Sequence, residues 1–453
     1  MEFLEAVKKL DQGFADLPAF EARLAGAGRI SDVLSRVAER LHDNYPYFHP
    51  LYAGQMLKPP HPIARLAYAL AMWINPNNHA LDGGRATSAM EKEAVAEIAA
   101  MFGWRNFLGH LCGGGTMANL EALWVAGQLQ PGKKILASEQ AHYTHGRISG
   151  VLRLEFESVP VDSAGRMDVE QLKKRLARGN VGTVVATMGT TATGSIDPLV
   201  EILALREKCG FRVHADAAYG GYFTLAGNLG EPAKAAFAKI CEVDSIVIDP
   251  HKHGLQPYGC GCVLFRDAGV GRLYKHDSPY TYFSSADLHL GEISLECSRA
   301  GAAAAGLWAT QKLLPLSSGG EFAQGLERGR EAALQLYDKV RRDTRFGAAF
   351  APELDILVFA PRAASVSEIS GLSRAIFASA AKHGLHLALA DLPVSFFTEV
   401  LGGTVKSGAQ AAQTVTCLRS VLMKPEHLDW VDRIWEILEN VAHETCAKTS
   451  QHA

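Results

Sequence analysis

The sequence predicts an α/β protein: one large domain on a mainly parallel sheet, a helical N-terminal arm before it and a smaller C-terminal α/β domain after it. Three observations lead there. Between Ala80 and about Pro315, short apolar runs of strand length alternate with helical segments, the pattern of parallel strands joined by helices. The residues before that region carry helical periodicity interrupted by Pro-rich breaks. After Ser317-Ser-Gly-Gly320 the alternation resumes with longer amphipathic helices. The expected units are residues 1–75, 76–318 and 319–453.

In the arm, Ile30, Val33, Leu34, Val37 and Leu41 recur at helical spacing and form one apolar stripe. Tyr45-Pro-Tyr-Phe-His-Pro50 and Lys58-Pro-Pro-His-Pro62 break the chain before a helix over about 63–74. So thin an arm cannot bury its own stripe, and it is expected to pack on another body such as a second subunit. In the large domain, apolar runs at 134–137, 182–188, 212–215, 245–248 and 261–265 predict strands, and the Ala-rich run at 300–314 predicts a helix. Further strands are expected near 355–359 and 414–423.

Composition narrows the function classes. Apolar residues make up 48% of the 453 and charged residues 21%, as in ordinary globular proteins. A net charge of −3 gives no electrostatic case for nucleic acid or an anionic membrane. No apolar run is long enough to span a bilayer, and Glu2, Glu5, Lys8 and Lys9 interrupt the place where a secretory core would lie. Apart from Cys260-Gly-Cys262 the eight cysteines are scattered, with no CxxC pair for zinc, which fits reduced thiols in a cytoplasmic protein without a metal.

The chemistry-bearing residues gather at expected strand ends. Ser245-Ile-Val-Ile-Asp-Pro-His-Lys-His-Gly254 is an apolar run that stops at Pro250 and delivers His251-Lys252-His253. An ammonium at such a mouth loses hydration, which lowers its pKa and suits Schiff-base chemistry with a carbonyl; the plainer reading is a lysine that merely flanks a strand. Leu111-Cys-Gly-Gly-Gly-Thr-Met-Ala-Asn-Leu120 is a glycine-rich turn entering a helix, where small residues and free N–H groups favour an anion and Thr116 adds a hydroxyl. It is neither GxGxxG nor a Walker loop, and as a bare turn it is as readily structural. In His214-Ala-Asp-Ala-Ala-Tyr-Gly-Gly221, Asp216 falls at a strand's carboxyl end, suited to holding a ring nitrogen protonated while Ala217-Ala218 leave room for a flat ring. The alternative is a turn-capping Asp. Ser138-Glu-Gln-Ala-His-Tyr-Thr-His145 supplies His142, whose imidazole can stack on an aromatic ring, whereas His145 reads as an ordinary hydrogen-bonding histidine. Thr187-Met-Gly-Thr-Thr-Ala-Thr-Gly-Ser-Ile-Asp-Pro198 ends a strand in hydroxyls able to contact a phenolic or carboxyl oxygen.

Their order is informative: Gly-rich turn, His, Thr-rich turn, Asp, and a Lys 36 positions beyond it. In these motifs the chain resembles the group II pyridoxal-phosphate-dependent amino-acid decarboxylases, fold-type I relatives of glutamate, tyrosine and aromatic-L-amino-acid decarboxylases. The resemblance runs from His49-Pro-Leu-Tyr-Ala-Gly-Gln-Met56 to Leu418-Arg-Ser-Val-Leu-Met423. It implies a fold-type I transferase fold, pyridoxal 5′-phosphate as cofactor and a homodimer sharing its lid and arm between subunits. It implies Lys252 as the Schiff-base lysine, His251, Gly115 and Thr116 at the phosphate, and Asp216 on the pyridine nitrogen. Ala218 would lie under the ring, His142 over its other face, Thr191 beside it, and Arg419 on the substrate α-carboxylate.

The family's mobile lid corresponds to His276-Asp-Ser-Pro-Tyr-Thr-Tyr-Phe-Ser-Ser-Ala-Asp287, so Tyr280 or Tyr282 would return a proton to Cα after a quinonoid stage; the choice between them stays open. Arg299 matches an arginine that helps close the site. The segment containing Asn75-Pro-Asn-Asn78 resembles the border of the substrate pocket in bacterial tyrosine decarboxylases, with Asn78 among the substrate contacts. Gly84-Arg85 stands where the family usually has Ser-Pro. If Arg85 faces inward it would pair with a side-chain carboxylate or sulfinate; otherwise it is a solvated arginine at a helix start. The implied activity is decarboxylation of an L-amino acid, tyrosine-like or acidic, to its amine. A carbon–carbon lyase of the sphingosine-phosphate-lyase kind and an aldehyde synthase share the Lys, Asp and His pattern, although the lid tyrosines argue against the latter. A non-catalytic nucleotide- or cofactor-binding protein would need neither Asp216 nor Lys252.

Overall fold

Strands covered on both faces are nearly continuous in apolar residues, and a computed structural model of the chain follows that rule. It describes residues 2–18, 20–21, 25–275, 288–398, 400 and 414–450. Seven strands form the larger sheet: β1 (Leu108–Cys112), β2 (Lys134–Ser138), β3 (Phe156–Val159), β4 (Val181–Thr187), β5 (Arg212–Asp216), β6 (Ser245–Ile248) and β7 (Gly261–Phe265). Their order is β1-β7-β6-β5-β4-β2-β3, parallel except at β7, which runs antiparallel to both β1 and β6. The five runs expected as strands are β2 and β4 to β7, each within one residue at either end.

The two strands the pattern did not reveal have physical reasons for hiding. β1 contains Gly109 and His110, and the glycine is needed because a Cβ there would come 2.5 Å from Leu264 Cδ2 on β7. β3 is a four-residue edge strand with a polar centre, Phe-Glu-Ser-Val. Interior strands are dry: Val184, Val185, Val213, Ala215, Ile246, Val247 and Ile248 are completely buried.

Four helices precede this sheet in the chain: α1 (Glu2–Gln12), α2 (Ile30–Leu41), α3 (Pro62–Met72) and α4 (Leu81–Met101). The helix Gly301–Leu313 packs on α3 and α4. Helix α2 has the bounds its stripe predicted, yet all five stripe residues are exposed, from 48% at Val37 to 62% at Leu34. No helix among the described residues is long and apolar enough to cross a membrane.

Beyond the larger sheet, β8 (Phe346–Ala348), β9 (Ile356–Pro361), β10 (Ala388–Pro393) and β11 (Thr414–Val421) form a second sheet in the order β10-β11-β9-β8, antiparallel throughout. Helices Glu321–Arg342 and His427–Ser450 cover it with a core that includes Leu336, Phe346, Phe359 and Leu438. The chain before α3 is tied to this sheet, since Ala53 N donates to His386 O and Val421 N donates to Ala53 O. Gly54 permits this approach, because a Cβ would sit 2.7 Å from Leu387 O.

Leu136 lies at the middle of β2 with no exposed surface. Leu136→Ala is expected to cost about 2–5 kcal/mol, read as a clear fall in the denaturation midpoint, whereas Leu34→Ala on the exposed stripe of the isolated protomer is expected to stay within about 0.5 kcal/mol.

Candidate active site

The register of three parallel strands sets the site. Thr187 pairs with Asp216, and Asp216 with Val247, so the carboxyl ends of β4, β5 and β6 lie side by side. Open α/β sheets hold their ligands in this crevice. A cavity of about 500 Å³ opens there, within the range of small-molecule sites, roughly 300–1,000 Å³. Gly115, Thr116, His142, Thr191, Asp216, Ala218, His251 and Lys252 all line it, although they span the sequence from 115 to 252.

One end of the cavity is an anion cradle. Helix α5 (Gly115–Leu129) begins at its wall, and the first-turn N–H groups of a helix have no partners of their own. Gly114 has φ +146°, open essentially to glycine, and a Cβ there would meet His251 Cε1 at 3.2 Å. A Cβ on Gly115 would meet Asp249 Oδ2 at 2.7 Å, so the turn can carry no side chain. His251 Nδ1 and Asp249 Oδ1 are buried without a hydrogen-bond partner.

After β6 the chain turns at Pro250, with Lys252 N donating to Asp249 O at 2.9 Å. The Lys252 ammonium faces Asp249 Oδ2 at 3.0 Å. The sequence reading gave Asp249 no part, although it stands three residues before the lysine. Gly254 proves to be a packing requirement, since a Cβ would strike Pro250 Cα and the Tyr222 hydroxyl, each at 2.6 Å.

The opposite wall holds Asp216, which is 4% exposed. Its Oδ1 accepts from Ala218 N at 3.2 Å, and its Oδ2 lies 2.8 Å from His145 Nε2. Burial by itself would raise this carboxyl; the His145 hydrogen bond and the charges of His145, His214 and Lys252 outweigh it and hold Asp216 well below the usual carboxylate range. His142 is half-buried, its Nδ1 2.8 Å from Thr144 Oγ1 and its ring 4.4 Å from that of Tyr143. Burial pulls its imidazole below the ordinary value.

Three expected substrate contacts do not line the cavity. Asn78 is completely buried, donating to Glu91 Oε2 at 2.6 Å and accepting from Thr87 Oγ1 at 2.5 Å. Arg85 is exposed on the single protomer, beyond the non-helical Gly84 in α4. Arg419 is 4% exposed and donates to the carbonyls of Thr191, Ala192 and Gly54 and to Gln55 Oε1. Its guanidinium holds the lip of the cavity rather than facing into it. Arg299 pairs with Glu91 Oε1 at 2.6 Å and donates to Leu111 O, in the buried cluster that also contains Asn78. Tyr280 and Tyr282, with the whole stretch 276–287, lie outside the described residues.

The structure adds residues that the sequence reading passed over. Tyr219 lines the cavity, and its hydroxyl donates to Asp355 Oδ1 at 2.6 Å. Asp355 Oδ2 lies 3.2 Å from His253 Nε2. Tyr219 and His253 sit inside motifs already singled out, but nothing in the sequence marks Asp355, over a hundred positions away, as their partner. Among the described residues no group of three His, Cys, Asp or Glu could hold a metal.

Burial drives the His214 imidazole down to about 3 from an ordinary 6.5, and His427 likewise to about 3. The unfolded chain takes up these protons below about 6.5 while the folded chain refuses them. The contribution to stability is therefore complete above 6.5 and lost as pH falls towards 3. The melting temperature is expected to decline through that window, and His214→Asn to flatten the slope; equal slopes for both proteins would show that His214 does not carry it.

Residues 124–362 match the family model described as the pyridoxal-dependent decarboxylase conserved domain. The chain is 29% identical to an L-tyrosine decarboxylase of Enterococcus faecium, over 71% of this chain and 70% of that protein. It is 30% identical to a probable L-tyrosine/L-aspartate decarboxylase of Methanothermobacter thermautotrophicus, over 68% of this chain and 82% of the relative. In fold it is similar to apo mouse CSAD, with a TM-score of 0.76 at 20% identity over 95% and 91% of the two chains. The Oryza sativa TDC solved with PLP and tryptamine gives a TM-score of 0.77 at 19% identity over 96% and 91%.

Proposed function

The chain belongs to the pyridoxal-dependent decarboxylase family and is an enzyme that uses pyridoxal 5′-phosphate to release CO₂ from an amino acid; from that premise we propose how its residues divide the work and which amino acid it takes. The observation that carries the reading is the convergence of Lys252, Asp216, His142 and the start of α5 on one cavity. The residues fit the cofactor. Unpartnered His251 Nδ1 and the glycine cradle suit a phosphate, and the ionised Asp216 suits a pyridinium.

When bound, pyridoxal phosphate supplies the electron sink for the bond that breaks. The chain does the rest. The first-turn N–H groups of α5, the Thr116 hydroxyl and His251 bind the phosphate. His142 and Ala218 would hold the ring between them, Asp216 would keep the proton on its nitrogen, and Thr191 would stand at the rim. Lys252 supplies the amine, and Asp249, 3.0 Å away, is placed to take the proton this nitrogen must shed before it attacks. Tyr280 or Tyr282 returns the proton to Cα.

The substrate is a tyrosine-like aromatic L-amino acid. The tyrosine decarboxylase relatives support this, and Arg85, the residue expected to pair with an acidic side chain, does not line the cavity. The exposed α2 stripe supports a homodimer in which the partner covers it; the scattered cysteines support a cytoplasmic protein, with proposed units at 1–75, 76–318 and 319–453.

With added cofactor, purified protein is expected to release CO₂ and amine from L-tyrosine in preference to tryptophan, histidine, aspartate, glutamate and cysteine sulfinate. Lys252→Ala is expected to lower the rate at least ~10³-fold. Cofactor bound without CO₂ from any of these would favour the carbon–carbon lyase. Separately, Leu34→Glu is expected to shift the protein from dimer to monomer in sedimentation; an unchanged dimer would remove α2 from the interface.

A further inference from the structure

The proposed function gives His145 no role, yet it is the side chain most closely engaged with Asp216. It lies in the first turn of α6 (Thr144–Val151), has no exposed surface, and sets Nε2 2.8 Å from Asp216 Oδ2. An ionised carboxylate only accepts, so Nε2 carries the proton in this bond. His145 Nδ1 is buried without a hydrogen-bond partner, so this ring has a single polar attachment, and it is Asp216. His214 behaves differently: its two nitrogens reach Ser245 Oγ and Asn119 Oδ1, each at 2.8 Å. His214 is built into the sheet and α5, whereas His145 is built onto the carboxylate.

The consequence is geometric. Each Asp216 oxygen has one protein donor, Ala218 N on Oδ1 and His145 Nε2 on Oδ2. Two donors, one on each oxygen, restrain the carboxylate and leave one lone pair on each oxygen for a further donor. The charged or titratable groups facing this pair are His142, His214, Lys252 and Asp249.

We propose that His145 is a positioning residue for the cofactor, holding the Asp216 carboxylate in place for the ring nitrogen by donating from Nε2. This rests on the reading of Asp216 as the ring-nitrogen partner. A donor within hydrogen-bond reach of a buried anion contributes about 1.5–3 kcal/mol, some 10- to 100-fold in an equilibrium, which is large enough to be read in cofactor affinity itself.

The test is titration of the apo full-length protein with pyridoxal 5′-phosphate, followed by absorbance from pH 5.5 to 8, for wild type, His145→Leu and His145→Gln. A Gln amide reaches about as far as Nε2, and Leu fills the space without a donor. His145→Leu is expected to bind the cofactor at least ~10-fold more weakly, while His145→Gln stays within about threefold of wild type. Should His145→Leu fail to fold, His145→Asn replaces it, its amide too short to reach Oδ2. Unchanged affinity in His145→Leu overturns the proposal. So does equal loss in the Leu and Gln variants with a lowered apo melting temperature, which would mark a purely structural histidine. Failure of the wild type to bind the cofactor would overturn the functional reading itself.

Discussion

A carboxylate buried at a strand end must be surrounded by donors before the fold can tolerate it, and Asp216 imposes that demand on everything near it. Desolvating an anion without partners costs several kcal/mol. Here the opposition comes from the Ala218 backbone N–H, from His145 on α6 and from the field of His214 and Lys252. Those partners arrive from three separate stretches of chain, so the parallel register of β4, β5 and β6 and the path of α6 are conditions for the carboxylate to exist there at all. Lys252 meets a similar demand with Asp249.

Much of this could be read from the sequence because it is local. Continuous apolar runs located the interior strands to within a residue, and the Gly113-Gly-Gly115 turn announced the start of α5. His142, Thr191, Asp216, Ala218, His251 and Lys252 were legible because each follows one of those runs, whereas Gly115 and Thr116 were marked by the glycine turn alone. What escaped is non-local. β1 was hidden by a glycine whose reason lies in Leu264 on another strand, and Asp355 joins Tyr219 and His253 only through folding. Arg419 was visible as an arginine on a strand, but its four bonds to residues near 54 and 191 cannot be inferred from spacing. Asn78 likewise looked available, and tertiary structure commits it to Glu91 and Thr87.

The two sheets meet around the cavity through polar groups as well as apolar ones. Tyr219 belongs to the wall of the cavity, Asp355 directly precedes β9, and His253 is the neighbour of Lys252. A change in how the cavity is filled therefore has a short hydrogen-bonded route to the second sheet. Arg419 makes the complementary link, fixing the Thr191 lip from β11.

That arginine also has a bearing on how the protein comes into being. Its bonds to Ala192 and Gly54 join residues 227 and 365 positions apart. Contacts of such separation close large loops and form late, because chain entropy must be surrendered before they stabilise anything. During synthesis the glycine cradle and the strand ends emerge well before residue 419, so the parallel sheet can assemble with the lip of its crevice still unheld. The finished crevice is then a property of the nearly complete chain, and a truncation just short of β11 would remove the bonds that hold its lip.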